Sequence, residues 1–215
     1  MADGDISDKL GNTHRMAVIA NPGHLPATIK RVIVRELTPV TSRGFLHSRV
    51  SPRHRRGVRR RVDECSRLVI LTCGNLLSGY AAVSLRAFET DLVYHLEGII
   101  VDELYQRSGL AFDVLRNDLV STSASMLAFH TQSSPMWKLG MTLAELTADD
   151  AIRLAKVIGT GHHEGDVEIG RYGRRSLYGD EDAFASIAIQ DLDWRRGDAK
   201  ICAGRVRLQL SASLP

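Results

Sequence analysis

The stretch from Val93 to Thr131 constrains the fold more than any other part of the chain. It contains an unbroken apolar run, Gly98-Ile99-Ile100-Val101, then a short polar loop over residues 102–108. Leu110, Ala111, Val114, Leu115 and Leu119 follow on one stripe at helical spacing. Met126 to Thr131 is apolar again. A strand, a helix and a strand of these lengths make a βαβ unit, whose crossover sets the two strands parallel. Continuous apolarity before the loop predicts a strand buried on both faces, near the centre of a sheet. The chain is therefore expected to be α/β, with a mixed sheet.

The remaining pattern fills in around that unit. Residues 1–29 carry Gly4, Gly11, Pro22, Gly23 and Pro26 and read as a flexible N-terminal tail. A strand is expected from Arg31, on the β-branched Val32-Ile33-Val34, ending at Thr38-Pro39. One or two short helices are expected between Ser42 and Glu64, interrupted by Pro52 and Gly57. Strands are expected over Arg67–Thr72 and Gly79–Phe88, with a turn at 89–91 and the central strand over Val93–Val101. Thr147 with Asp150 predicts a capped helix reaching Ile158. Residues 159–182 read as loop. Phe184–Ile189 and Lys200–Leu210 read as strands, with Ile201, Val206, Leu208 and Leu210 at period two and Gly204 as a bulge. The expected organisation is a tail, 1–29, a core, 30–145, and a C-terminal segment, 146–215, that completes or extends the core.

Composition removes several classes. The 215 residues suit one domain, and 44% hydrophobic with 25% charged residues excludes disorder along the whole chain. No run of 18 apolar residues occurs, so no membrane-spanning helix is expected. The first ten residues carry Asp3, Asp5 and Asp8 without an apolar centre, which does not read as a leader. Cys65, Cys73 and Cys202 are odd in number and unspaced for metal, as expected of reduced thiols in a cytoplasmic protein. Charge is uneven. Residues 31–67 hold 11 Arg against three acids, and the remainder holds 17 basic against 22 acidic residues. One basic segment on an otherwise acidic body points to an anionic ligand or partner at one place. The run Arg53-His54-Arg55-Arg56-Gly57-Val58-Arg59-Arg60-Arg61 contains no aromatic residue for base stacking, so nucleic acid is not the expected partner. The cluster His162-His163-Glu164-Gly165-Asp166 lacks metal-ligand register and reads as a surface loop, and no metal is expected. Serine-hydrolase, dinucleotide and P-loop signatures are absent.

Chemistry is expected at the turn Val101-Asp102-Glu103-Leu104-Tyr105-Gln106-Arg107-Ser108-Gly109-Leu110-Ala111. A helix opening there presents unpaired N–H groups and a partial positive charge. Gly109 and Ala111 are small enough for a phosphate to approach the backbone. This stretch resembles motif A of the GNAT superfamily of N-acetyltransferases, Gln/Arg-x-x-Gly-x-Gly/Ala, with Gln106, Gly109 and Ala111 in that spacing. Val101, Asp102 and Tyr105 stand where the family has Val-Asp-Pro-x-Tyr, with Glu103 in place of Pro. The order of elements over residues 31–145 is also similar, including the segment 132–140 after the last strand. Arg107 stands where the family often has Gly. It is strained if that position needs a positive φ, and otherwise its side chain can reach a phosphate.

The resemblance implies a GNAT-like fold with helices on both faces of the sheet, and acetyl-CoA or another acyl-CoA as co-substrate. Backbone groups of Ile99, Ile100 and Val101 would pair with the pantetheine arm. Gln106, Arg107, Ser108, Gly109, Leu110 and Ala111 would hold the pyrophosphate. Ser134 would either meet the arm or cap a helix. Glu97 is the expected general base on the central strand, with His95 on the same face as the alternative. The family's usual general-acid Tyr has no counterpart, since Met136 and Trp137 occupy that region. The expected acceptor is an amine of a small molecule or peptide, and a homodimer is compatible. The competing expectation is a non-catalytic CoA-binding or regulatory protein on the same scaffold, with weak nucleic-acid binding through the Arg-rich segment.

Overall fold

Ile6, His14 and Met16 are buried while their neighbours are exposed, a period of two that draws the N-terminus into a sheet. The structure is a computed structural model, and it describes residues 4–159, 161–173 and 178–207. The chain forms two compact units, Met1–Ser84 with Glu97–Ser121, and Leu85–Leu96 with Thr122–Pro215. In the first, β1 (Gly4–Ser7) pairs antiparallel with β2 (Thr13–Ala20). The flexible tail expected over 1–29 is thus corrected for residues 4–20. Its few apolar residues suffice because an edge hairpin has only one face to bury.

The strand expected from Arg31 is also corrected. That region lies in α1 (Ala27–Gly44), which buries Val34, Leu37, Thr38 and Thr41 at helical spacing. The β-branched triplet is overridden by this stripe. Thr41 donates to Leu37 O at 2.9 Å, and Thr38 bonds Val34 O in the same way, near the Pro39 that the helix carries inside it. α2 (Pro52–Glu64) begins on the Ser51 cap with Pro52 in its first turn. Val58 and Val62 of α2 pack with Val34, Leu37 and Val40 of α1. They close over Leu68 of β3 (Arg67–Cys73), Tyr80 and Ala82 of β4 (Leu76–Phe88) and Ile100 of β5 (Asp91–Val101). Val69 and Leu71, which point the other way along β3, are equally inaccessible. On that side Arg67 reaches the buried Asp118 of α3 (Leu110–Thr122) at 2.7 Å. Strand order in this unit is β1-β2-β3-β4-β5.

The second unit carries the parallel step. β6 (Met126–Thr131) pairs parallel with β5, from Val93↔Met126 to Leu96↔Phe129, as the βαβ reading requires. α4 (Ser134–Leu143), β7 (Ala144–Leu146) and α5 (Ala148–Ile158) follow. Thr147 caps α5 by accepting from Asp150 N–H. Ala151, Leu154, Ala155 and Ile158 of α5 pack on Val93, Met126 and Ala128. Two short strands, β8 (His163–Glu164) and β9 (Val167–Glu168), interrupt the expected loop. Phe184–Ile189 is not a strand. Phe184 lies in α6 (Glu181–Ala185), stacked on Tyr178 at 4.1 Å and edge-on to Trp194 at 5.3 Å. An aromatic cluster, not sheet pairing, buries it. β10 (Ala199–Val206) runs antiparallel to β6. Gly204 pairs with both Leu127 and Leu146, and a Cβ there would strike the Glu145 carbonyl. It permits a close approach of β7 rather than forming a bulge. Leu208 and Leu210 lie outside the described residues. The expected α/β fold with a mixed sheet is present.

A buried polar chain fixes the N-terminal hairpin. His14 is fully buried, with Nδ1 2.9 Å from Ser78 Oγ and Nε2 3.0 Å from Asp8 Oδ2. Burial alone would push the Asp8 carboxyl up. Hydrogen bonds from the Asn12 side chain, His14, and the N–H groups of Asn12 and Leu10 outweigh it and hold Asp8 well below the usual carboxylate range. A depressed carboxylate stabilises the fold above its unfolded pKa of 3.8, and that contribution disappears as pH falls through the lower folded value. Asp8→Asn should therefore lower the urea midpoint by a constant amount at neutral pH, and the gap to the natural chain should close below pH 4. A gap that persists unchanged into strong acid would contradict this account of the hairpin.

Candidate functional site

Asp102 organises the turn that follows β5. It is 2% exposed, and its N–H donates to Ser78 O at 2.9 Å. Its Oδ1 accepts from Leu104 N–H at 3.3 Å, opening the 3-10 turn Glu103–Tyr105. Its Oδ2 accepts from Arg43 of α1, with Nη2 at 2.6 Å. Gln106 adds a second brace, its Nε2 donating to Gly44 O at 2.9 Å and Val101 O at 3.1 Å. The side-chain donors of Gln106 thus tie α1 to the end of β5, while its N–H closes the 3-10 turn on Glu103 O at 3.3 Å.

The turn then reverses through two left-handed residues, Arg107 at φ 64° and Gly109 at φ 89°. Arg107 occupies the strained position that the sequence reading allowed for, and its side chain is exposed. Ser108 is 1% exposed; its hydroxyl donates to Tyr105 O at 2.7 Å and accepts from Leu110 N–H at 3.4 Å. The N–H groups of Arg107, Ser108 and Gly109 are engaged by no described residue. They sit at the mouth of α3, where the helix dipole adds positive potential. Sequence reasoning missed Lys9. Its N–H donates to Ser108 O at 2.9 Å, and its carbon chain lies 3.2–3.5 Å from where a Cβ of Gly109 would stand. Gly109 is therefore needed for its φ and for the approach of Lys9. Asp113, in the first turn of α3, opposes an anion. Burial pushes its carboxyl up, against the charges of Arg116 and Lys9.

Glu97 lies on β5, half-buried, and accepts from Ser84 Oγ at 3.0 Å. Burial pushes the Cys65 thiol up to about 11. Glu97 is four residues before Val101, a distance of about 13 Å along a strand. Ile99 and Val101 are half-buried, while the Ile100 side chain belongs to the core under α1 and α2. Within the first unit the structure thus brings Glu97, residues 99–101 and residues 106–111 onto one strand and the turn that leaves it.

The other two candidates belong to the second unit. His95 is 1% exposed, its ring 6.0 Å from that of His130. His130 stands 2.8 Å from Glu168, and burial above all lowers its pKa to about 4. A fully buried imidazole is less suited than half-buried Glu97 to exchange a proton with a substrate. Ser133, not Ser134, caps α4 by accepting from Met136 N–H. Ser134 donates to Ala188 O at 3.3 Å. Tyr94 is fully buried, and the Tyr105 ring packs edge-on against His14 at 5.0 Å. Asp166, from the His-rich stretch, pairs with Lys200 at 2.6 Å. Among the described residues no group of three or more metal-ligating side chains occurs, and no helix is long and apolar enough to cross a membrane.

No family model matches the sequence, and no curated protein matches it either. Solved structures to which the chain is similar include acetyltransferases. The ribosomal-protein-S18-alanine N-acetyltransferase of Escherichia coli is 17% identical, with 90% of this chain and 95% of that one covered at a TM-score of 0.46. The ribosomal-protein-S5-alanine acetyltransferase of Vibrio fischeri is 9% identical, with 95% and 97% covered at 0.48. A GNAT-family acetyltransferase of Elizabethkingia anophelis, solved with acetyl-CoA bound, is 15% identical, with 65% and 75% covered at 0.36. Likeness of this degree assigns neither activity nor substrate.

The left-handed turn makes its own prediction. Arg107→Gly removes a side chain from a conformation that costs an L-residue about 1–2 kcal/mol, offset in part by the greater freedom of glycine when unfolded. The variant should be more stable by about 0.5–1 kcal/mol in urea unfolding. An unchanged or lower midpoint would show that Arg107 makes compensating contacts.

Proposed function

We propose that the protein is an acyl-CoA-dependent N-acetyltransferase, acting on an amine of a small molecule or peptide. The observation that carries this reading is the turn from Arg107 to Gly109. Three consecutive N–H groups without a described partner open a helix, with Lys9 and Arg107 beside them. This donor set suits the diphosphate of CoA: amides for the bridging oxygens, two cations for the charge. Asp102, Arg43 and Gln106 keep the turn rigid, so little order has to be gained on binding. The backbone of residues 99–101 would pair with the pantetheine arm as an added strand.

When bound, the thioester supplies the acyl group. Glu97 takes a proton from the acceptor ammonium and so exposes its lone pair. Ser84 orients that carboxylate. Arg-rich α2 packs over Tyr80, Ala82 and Ile100 and brings positive charge to this unit. Buried, unpaired Cys65 and Cys202 suit a reducing, cytoplasmic setting. A second reading, a CoA-binding protein without turnover, is favoured by one observation. α4 offers Met136 and Trp137 and no tyrosine to protonate a departing thiolate.

Two variants test the proposal. Gly109→Val should abolish acetyl-CoA binding in calorimetry while the far-ultraviolet spectrum is kept, because a branched Cβ is disfavoured at φ 89° and displaces Lys9. Undiminished affinity would sink the phosphate role of the turn. Glu97→Gln should lose about 10²–10⁴-fold in transfer rate with CoA affinity unchanged. Near-normal turnover with the same pH profile would move the proton to another group, and thiol release at no amine at all would favour the non-catalytic reading.

A further inference from the structure

The guanidinium of Arg61 sits in a slot made by two glycines. A Cβ on Gly98 of β5 would stand 3.0 Å from Arg61 Nε, 3.3 Å from Nη2 and 3.5 Å from Cζ. A Cβ on Gly57, one turn earlier in α2, would stand 3.4 Å from Nη1. The side chain therefore lies between its own helix and the central strand, where a Cβ on Gly98 would crowd it and one on Gly57 would just touch it. Its Nε is buried and has no hydrogen-bond partner. The acids closest in sequence pair elsewhere: Asp63 with Lys30 at 2.8 Å, and Glu64 with Arg60 at 3.9 Å. No described residue gives the Arg61 guanidinium a hydrogen bond or an ion pair. A desolvated N–H donor on a cation costs stability unless something accepts from it.

We infer that Arg61 is the anion-reading residue of the acceptor site, and that the acceptor amine carries a carboxylate. The inference rests on the acetyltransferase reading, because it takes Glu97 as the proton acceptor. Gly98 is the next residue along β5 after Glu97, so the slot and the base stand one residue apart on the same strand. A planar guanidinium fork matches a carboxylate by two parallel N–H···O bonds, one of them from Nε. The buried Nε then gains the acceptor it lacks. The remaining charge of α2, on exposed Arg55, Arg56 and Arg59, draws such an anion towards the slot.

The test reads Arg61 directly and does not depend on turnover. The Nε–Hε resonance of Arg61, assigned by its absence in Arg61→Gln, is followed while N-acetylglycine or its N-methylamide is added, with and without CoA. A shift that saturates with the carboxylate and not with the amide is expected. No response, or equal response to both, overturns the inference. In transfer assays, 4-aminobutyrate and butylamine form a matched pair. Arg61→Gln should lower kcat/KM for the carboxylate-bearing member roughly 10- to 100-fold, mainly through KM, and leave butylamine unchanged. An equal loss for both overturns it. Arg61→Lys, which keeps the charge without the fork, should recover only part of the loss, and Gly98→Ala, which crowds the slot, should act in the same direction as Arg61→Gln. Calorimetry with acetyl-CoA on the same samples keeps the two levels apart. Failure to bind CoA, with the Arg61 response intact, removes the acetyltransferase reading and leaves a carboxylate site.

Discussion

One buried carboxylate, Asp102, fixes the geometry on which the functional reading depends. It holds Arg43 of α1, the Leu104 N–H and, through its own N–H, the Ser78 carbonyl of β4. A buried charge of this kind is tolerable only when its oxygens are occupied, and here they are. The consequence is a turn that cannot drift. Around its left-handed residues, Arg107 and Gly109, three successive N–H groups have no described partner, and the hairpin brings Lys9 alongside. The chain of Asp8, His14 and Ser78 has the residue types of a hydrolase triad. Both Ser78 and His14 are wholly inaccessible, so its work is to hold that hairpin in place.

What the sequence disclosed depended on period. The central strand, the stripe of α3, the strand Met126–Thr131 and the Thr147 cap were all legible, because burial imposes a regular spacing there. Val32-Ile33-Val34 misled, since β-branched residues favour a strand locally. The stripe through Val34, Leu37, Thr38 and Thr41 was the better signal. Phe184 misled for a related reason: an aromatic in a short apolar run is as well buried by Tyr178 and Trp194 as by a sheet.

The candidate site divides in the same way. Gly109 and the helix mouth could be read from spacing, and Glu97 from its presence in an apolar strand. Lys9, Arg43 and Arg61 could not. Lys9 meets Ser108 and Arg43 meets Asp102 across 99 and 59 residues of chain. Gly57, read from the sequence only as a helix interruption, stands one turn before Arg61, and only the fold brings Gly98 against it.

The central claim is that the Arg107–Gly109 amides hold a diphosphate. Titrating 15N-labelled protein with 3′-dephospho-CoA, and separately with pantetheine, tests it most directly. The diphosphate-bearing ligand should move the amide resonances of Arg107, Ser108 and Gly109 strongly, and pantetheine should leave them nearly in place. Binding of 3′-dephospho-CoA that leaves those three resonances unmoved would contradict the account.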